Sequence, residues 1–178
     1  MKSPFSQNPP NDPPAVYHHG IERIVSGGQT GVDRAALDVA IRLGVPHGGW
    51  CPRGRLAEDG TIARRYRLTE SESPDYAVRT QWNVRDSDGT LILYWQRLQG
   101  GTWLTYRHAR QMGKPVLRVR LDRPYDVLYT ATWLHHHGID ILNVAGPRAS
   151  NFPQIYDLAH GFLVELFTTP CTWCEAST

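Results

Sequence analysis

The sequence predicts an α/β protein built on a mostly parallel sheet of about five strands, with helices on both faces. Three observations carry this expectation. Short apolar runs alternate with amphipathic stretches along the chain. The runs are apolar throughout rather than at every second residue, as strands covered on both faces need. Most of the amphipathic stretches close on glycine, a common helix stop.

The elements follow in order. "RIVSGG" reads as a buried strand, and "VDRAALDVAIRLG" sets Val32, Ala35, Ala36, Val39, Ala40 and Leu43 at helical spacing before Gly44 ends it. "GGWCP" is a weaker strand candidate. Pro52 to Arg85 reads mostly as loop, with a helix from Pro74; a loop this long in a compact domain is functional or mobile. "GTLILYW", "KPVLRVRL" and "IDILNVAG" are the later strands. "WLTYRHARQMG", "RPYDVLYTATWLHHHG" and "FPQIYDLAHGFLVELF" are the later helices, the last with proline near its start. One domain over residues 20–168 is expected. Residues 1–19, centred on "NPPNDPP", read as a disordered Pro-rich tail, and residues 169–178 as a C-terminal tail.

Composition narrows the function. A net charge of +2 provides no global field for nucleic acid, although residues 53–67 are locally basic. No apolar run is long enough to span a bilayer, and the N-terminus lacks a signal pattern. Three cysteines, Cys51, Cys171 and Cys174, do not make a disulfide framework. The expectation is a cytoplasmic chain with neither nucleic acid nor membrane as partner.

In an open parallel sheet, ligands bind beyond the carboxyl ends of the strands. Three predicted strand ends carry glycine turns into helices. They are Gly27-Gly28-Gln29-Thr30-Gly31, Gly100-Gly101-Thr102, and Gly146-Pro147-Arg148. Helix starts offer unpaired N–H groups and partial positive charge, so three at one edge point to a phosphate pocket. No Gly-Lys-Ser/Thr follows, and the spacing is not the dinucleotide fingerprint. A nucleotide-like or pterin-like phosphate ester is the expected ligand. Asn143 near a strand end suits a base or ribose, and Arg148 suits phosphate through its forked donors.

The runs "SGGQTGVDRAALDVA", "GWCPRGRLAEDGTI", "RTQWNVRDSDGTLIL", "GGTWLTYRHARQMGKPVL" and "LNVAGPRASNFPQIY" resemble the molybdenum-cofactor carrier family of circularly permuted YpsA type. The resemblance covers about Ile24 to Phe167. It implies a Rossmann-like three-layer sandwich in a superfamily shared with the Lonely-guy nucleotide phosphoribohydrolases. It also implies assembly as a homo-oligomer, a dimer or tetramer. The Lonely-guy motif Gly-Gly-x-Gly-Thr-x-x-Glu ends in a catalytic Glu. Here Thr105 stands at that position, so a catalytic carboxylate must come from elsewhere.

Asp33 is the first candidate, in the first turn after the glycine loop, as a general base or as a ligand of a ribose hydroxyl at the pocket edge, although an acid there also suits the helix dipole. Asp38, one turn on, is expected to face away or to pair with Arg34 or Arg42. Glu58 and Asp59 read either as a surface turn or as a lid bringing Arg53, Arg55 and an acid over the pocket. The resemblance favours the lid, with Asp59 the second catalytic candidate and Arg53 a phosphate ligand. Asp86 and Asp88 precede a strand and read as structural, a helix cap or an oligomer contact with Arg79 and Arg85, and a neighbouring subunit bringing Arg79 to a pocket stays open. Trp95 and Trp133 suit core or interface, and Trp103 a stacking role on a heterocycle. His135-His136-His137 suit a helix C-terminus, and Cys171-Thr-Trp-Cys174 has no second pair to complete a zinc site, so no metal site is predicted.

Three functions remain open at this stage. One is hydrolysis of the N-glycosidic bond of a nucleoside 5′-monophosphate, with no cofactor required. A second is a non-catalytic carrier of molybdenum cofactor held by its pterin phosphate. The third is a nucleotide sensor that assembles with a partner.

Overall fold

A computed structural model of the chain describes residues 15–172. Its centre is a five-stranded, wholly parallel sheet in the order β2-β1-β9-β7-β8. These strands are β1 (Arg23–Val25), β2 (His47–Gly48), β7 (Gly89–Tyr94), β8 (Val116–Arg120) and β9 (Ile141–Ala145). The helices are α1 (Val32–Leu43), α2 (Tyr76–Arg85), α3 (Gly100–Gln111), α4 (Val127–His136) and α5 (Ile155–Thr168). No helix among the described residues is long and apolar enough to cross a membrane.

Strand alternation sorts the layers. Leu91, Leu93, Leu142 and Val144 pack into the main core with α1, α4 and α5. The intervening Thr90, Ile92 and Asn143 are also buried, on the opposite face, which carries α2 and α3. Nearly continuous apolar runs are the consequence of covering both faces. α1 ends as expected at Gly44, in the left-handed conformation. Asp75 caps α2 by accepting from Ala77 N–H, and Asp126 caps α4.

The segment between α1 and α2 is more structured than its sequence suggested. His47–Gly48 supplies the edge strand β2, just ahead of the expected Trp50 region. β3 (Trp50–Cys51) leaves the sheet to pair with β6 (Thr69–Glu70), and β4 (Leu56–Ala57) forms a small hairpin with β5 (Gly60–Thr61). Beneath them Leu37, Cys51, Ile62, Tyr66 and Leu68 form a second, smaller core. Asp38 belongs to this region, not to Arg34 or Arg42: it accepts from Arg65, Tyr66 and Tyr156.

At the N-terminal side, Tyr17 N–H already bonds Phe167 C=O, and buried His19 contacts Leu166 C=O and Cys171 Sγ. The domain is therefore seated on α5 from a few residues before position 20. Cys171 is disulfide-bonded. The "NPPNDPP" run and Cys174 lie outside the described residues.

Candidate functional site

The topology opens a crevice. β1 sends α1 to one face of the sheet and β7 sends α3 to the other, so their exit turns part over β9. The cavity there is about 120 Å³. Its walls come from four segments: Gln29 and Asp33, the α2 residues Tyr76, Arg79 and Thr80, the start of α3, and Gly146 to Arg148 with Asn151.

Asp33 and Arg79 form the base. Arg79 Nη1 donates to Asp33 Oδ2 at 3.0 Å, with the two side chains 13% and 5% exposed. Gln29 N–H also donates to Oδ2. Burial pushes the Asp33 carboxyl above its ordinary range, and the Arg79 charge offsets this only in part. Arg79 thus arrives from the chain's own α2, without a neighbouring subunit. Gly27 makes its approach possible: a Cβ there would lie 1.3 Å from Arg79 Nη1. A second, much smaller polar chamber of about 10 Å³ lies behind the pair, lined by Thr80, Asn83, Thr105 and Asn143 among others.

The first glycine turn is largely closed on itself. Gln29 N–H is taken by Asp33, Thr30 N–H by Gln29 Oε1, and Val32 N–H by Pro147 C=O. Gly31, at φ 79°, leaves no room for a side chain, because a Cβ would meet Pro147 O at 2.4 Å. This turn locks β1–α1 against the β9–α5 loop. The open helix start is that of α3. Its N-cap, Gln99, makes no side-chain capping bond, and helix geometry gives Gly100 and Gly101 N–H no intrahelical acceptor. Both glycines and buried Thr102 line the cavity. Gly100–Thr102 is therefore the first turn of α3 rather than a turn preceding it. Thr105, where the related motif has Glu, lines the wall as a neutral hydroxyl that donates to Gly101 C=O.

The β4–β5 hairpin is latched beside this site. Glu58 accepts from Thr30 and Ser150 and lies 3.9 Å from Arg148. Desolvation pushes the Glu58 carboxyl up, but the Ser150 and Thr30 hydrogen bonds outweigh it and hold the group below its ordinary range. Asp59 is half-exposed and bound by both Arg34 terminal nitrogens at 2.9 and 3.0 Å; it does not line the cavity. Arg55 is structural, donating to the carbonyls of Ile62, Leu68, Ala63 and Tyr66. Arg53 is exposed and also stands off the cavity.

Asn143 is buried beneath the cavity, donating to Thr90 Oγ1, and borders only the rear chamber. Trp103 is 46% exposed and tilts against Tyr106, outside the cavity. Trp95 stacks on Phe152 against the core. Among the described residues no group of three or more His, Cys, Asp and Glu is placed to hold a metal. Tyr76, Thr80 and Asn151 are site residues that the sequence reading missed. A signal existed for the first two: Tyr76, Arg79 and Thr80 are spaced i, i+3, i+4 and so share one helix face.

Comparison with known proteins agrees with this architecture. The profile of the circularly permutated YpsA SLOG family matches residues 24–167. A crystal structure at 1.45 Å of a Syntrophus aciditrophicus SB protein, provisionally named a molybdenum carrier, superposes with a TM-score of 0.81. The two chains are 47% identical, over 84% of this chain and 96% of that one. No curated protein matches the chain. The match over residues 24–167, with 47% identity to a solved structure over 84% of the chain, makes this chain a member of the circularly permutated YpsA SLOG family.

Proposed function

We propose that the chain binds a phosphorylated, nucleotide-like small molecule in this cavity and hydrolyses its N-glycosidic bond. The carrying observation is the buried Asp33–Arg79 pair at the base of a cavity whose wall is an uncapped helix start. The phosphate lies on the Gly100 and Gly101 amides, where the α3 dipole favours negative charge, with Arg148 adding a charged donor. The volume is below the roughly 300–1,000 Å³ of pockets that enclose a drug-sized ligand. The cavity therefore takes the sugar phosphate, and the base extends to its mouth.

In the reaction, the bond from the ribose carbon to the base nitrogen breaks and positive charge develops on the sugar. The Asp33 carboxylate stabilises that charge and orients water, whose oxygen bonds to the carbon. The base leaves with the electron pair and gains a proton, giving free base and ribose 5-phosphate. Thr105 has no part in the charge chemistry. In Asp33→Asn protein, calorimetry should still detect nucleotide binding while base release is lost. Unchanged turnover in that variant would remove Asp33 from this role.

A second reading has its own support. The structural neighbour bears a carrier's name, and Thr105 replaces the carboxylate of the related hydrolase motif. In this reading the same cavity holds the pterin phosphate of molybdenum cofactor as cargo, without turnover. Pterin fluorescence and molybdenum co-eluting with the isolated chain, with no base release from any nucleotide, favour it.

A further inference from the structure

Gln29 is 6% exposed, and its amide orientation is fixed. Oε1 accepts from the backbone N–H groups of Thr30 and Glu58, both at 3.0 Å. Rotating the amide by half a turn would set an NH₂ group against two donors. Nε2 is therefore committed to the other direction, and it has no acceptor. Arg79 Nε is a second buried donor without one. Both residues line the same cavity, and Asp33 there presents a carboxylate. Buried polar groups are nearly always paired, so two idle donors beside one acceptor describe the shape of a missing partner.

We infer that the base of the cavity is a subsite for the cis-diol of a ribose. The inference rests on the phosphate-ester reading above and states which part of the ligand goes deepest. Each hydroxyl both donates and accepts. The 2′ and 3′ oxygens accept from Gln29 Nε2 and Arg79 Nε, and a hydroxyl hydrogen goes to the Asp33 carboxylate. A phosphate does not suit this position, since it has only acceptors at neutral pH and Asp33 repels its charge. A base edge mixes donors and acceptors too, but a base needs a stacking face. The aromatic ring on the cavity wall is Tyr76, and its face towards the base of the cavity is taken by the Arg79 guanidinium, 5.9 Å from the ring centroid, so it is not open to a base there. The phosphate is left to the α3 amides, and the site selects ribonucleotides over deoxyribonucleotides.

The test uses the full wild-type chain and titration calorimetry. The probes are methyl ribofuranoside 5-phosphate and its 2-deoxy and 3-deoxy forms, whose methoxy group leaves too poorly for turnover. The parent should bind about ten- to a hundredfold tighter than either deoxy form, because each strands a buried donor or acceptor. Parent and deoxy probes binding within twofold of one another would overturn the diol subsite while leaving phosphate-ester binding intact. Failure of every probe, and of nucleoside 5′-monophosphates as well, would overturn the underlying reading and this inference with it. Gln29→Glu adds a second check. It keeps the oxygen that the Thr30 and Glu58 amides need and puts an acceptor in place of the Nε2 donor, so discrimination against the deoxy form lacking the hydroxyl that Nε2 serves should shift, while that against the other form, which rests on Arg79 Nε, persists.

Discussion

Asp33 and Arg79 are 46 residues apart and meet at 3.0 Å. Replacing Arg79 with Met leaves a buried carboxylate without its counter-charge, which typically costs about 3 kcal/mol. Denaturant unfolding should show that loss, and Asp33→Asn in the same chain should recover part of it. Gly27→Ala should weaken ligand binding as Arg79→Met does, because the new methyl occupies the place of the guanidinium. The Asp33 carboxyl also carries a pH signature. Burial raises its folded-state pKa, so the folded chain holds the proton more tightly than the unfolded one. Its stabilising contribution is complete below the ordinary Asp range and is lost as pH rises through the raised value. Turnover follows the opposite course, since the ionised form acts: its acid limb should lie above the ordinary carboxylate range. Asp33→Asn should flatten the corresponding limb in pH-dependent unfolding. Asp33 was legible in sequence because it follows a glycine turn at a helix start. Arg79 was not, since its position depends on how α2 packs on α3.

At the scale of elements, the β4–β5 hairpin is held by side chains rather than by the sheet. Glu58 bonds Thr30 and Ser150, and Asp59 grips Arg34. Exposed pairs of this kind contribute about 0–1 kcal/mol each. Glu58→Ala should therefore change global stability little and speed hydrogen exchange over residues 56–61. Unchanged exchange there would show that Asp59 and the β3–β6 ladder suffice to hold the hairpin. The principal strands and helices were readable because each satisfies a local rule, such as the all-apolar run of β7 or Gly44 behind α1. The two-residue ladders were not, because two residues show no periodicity. Their arrangement follows from the satellite core of Leu37, Cys51, Ile62, Tyr66 and Leu68, which unites residues distant in sequence. The roles of Arg55 and Asp38 were hidden for the same reason. An arginine that satisfies four carbonyls resembles a phosphate ligand until the loop around it is seen.

For the whole molecule, three layers around a parallel sheet place the exit turns of β1, β7 and β9 at one edge, and the crevice follows from the strand order. That much was available from counting β-α repeats. Which turn is open was not: the glycines of the first turn serve close packing, whereas those of α3 start a helix whose N–H groups remain available. A ligand that binds only the folded chain must raise the melting temperature, with about 2.7 kcal/mol of added stability at a hundredfold excess over its Kd. The most direct test of the account is product chromatography after incubating the purified chain with purine and pyrimidine ribonucleoside 5′-monophosphates. At least one of them should release free base and ribose 5-phosphate, and Asp33→Asn should abolish that release. No release from any member of the panel, with pterin and molybdenum instead retained on the protein, would contradict it and leave a carrier.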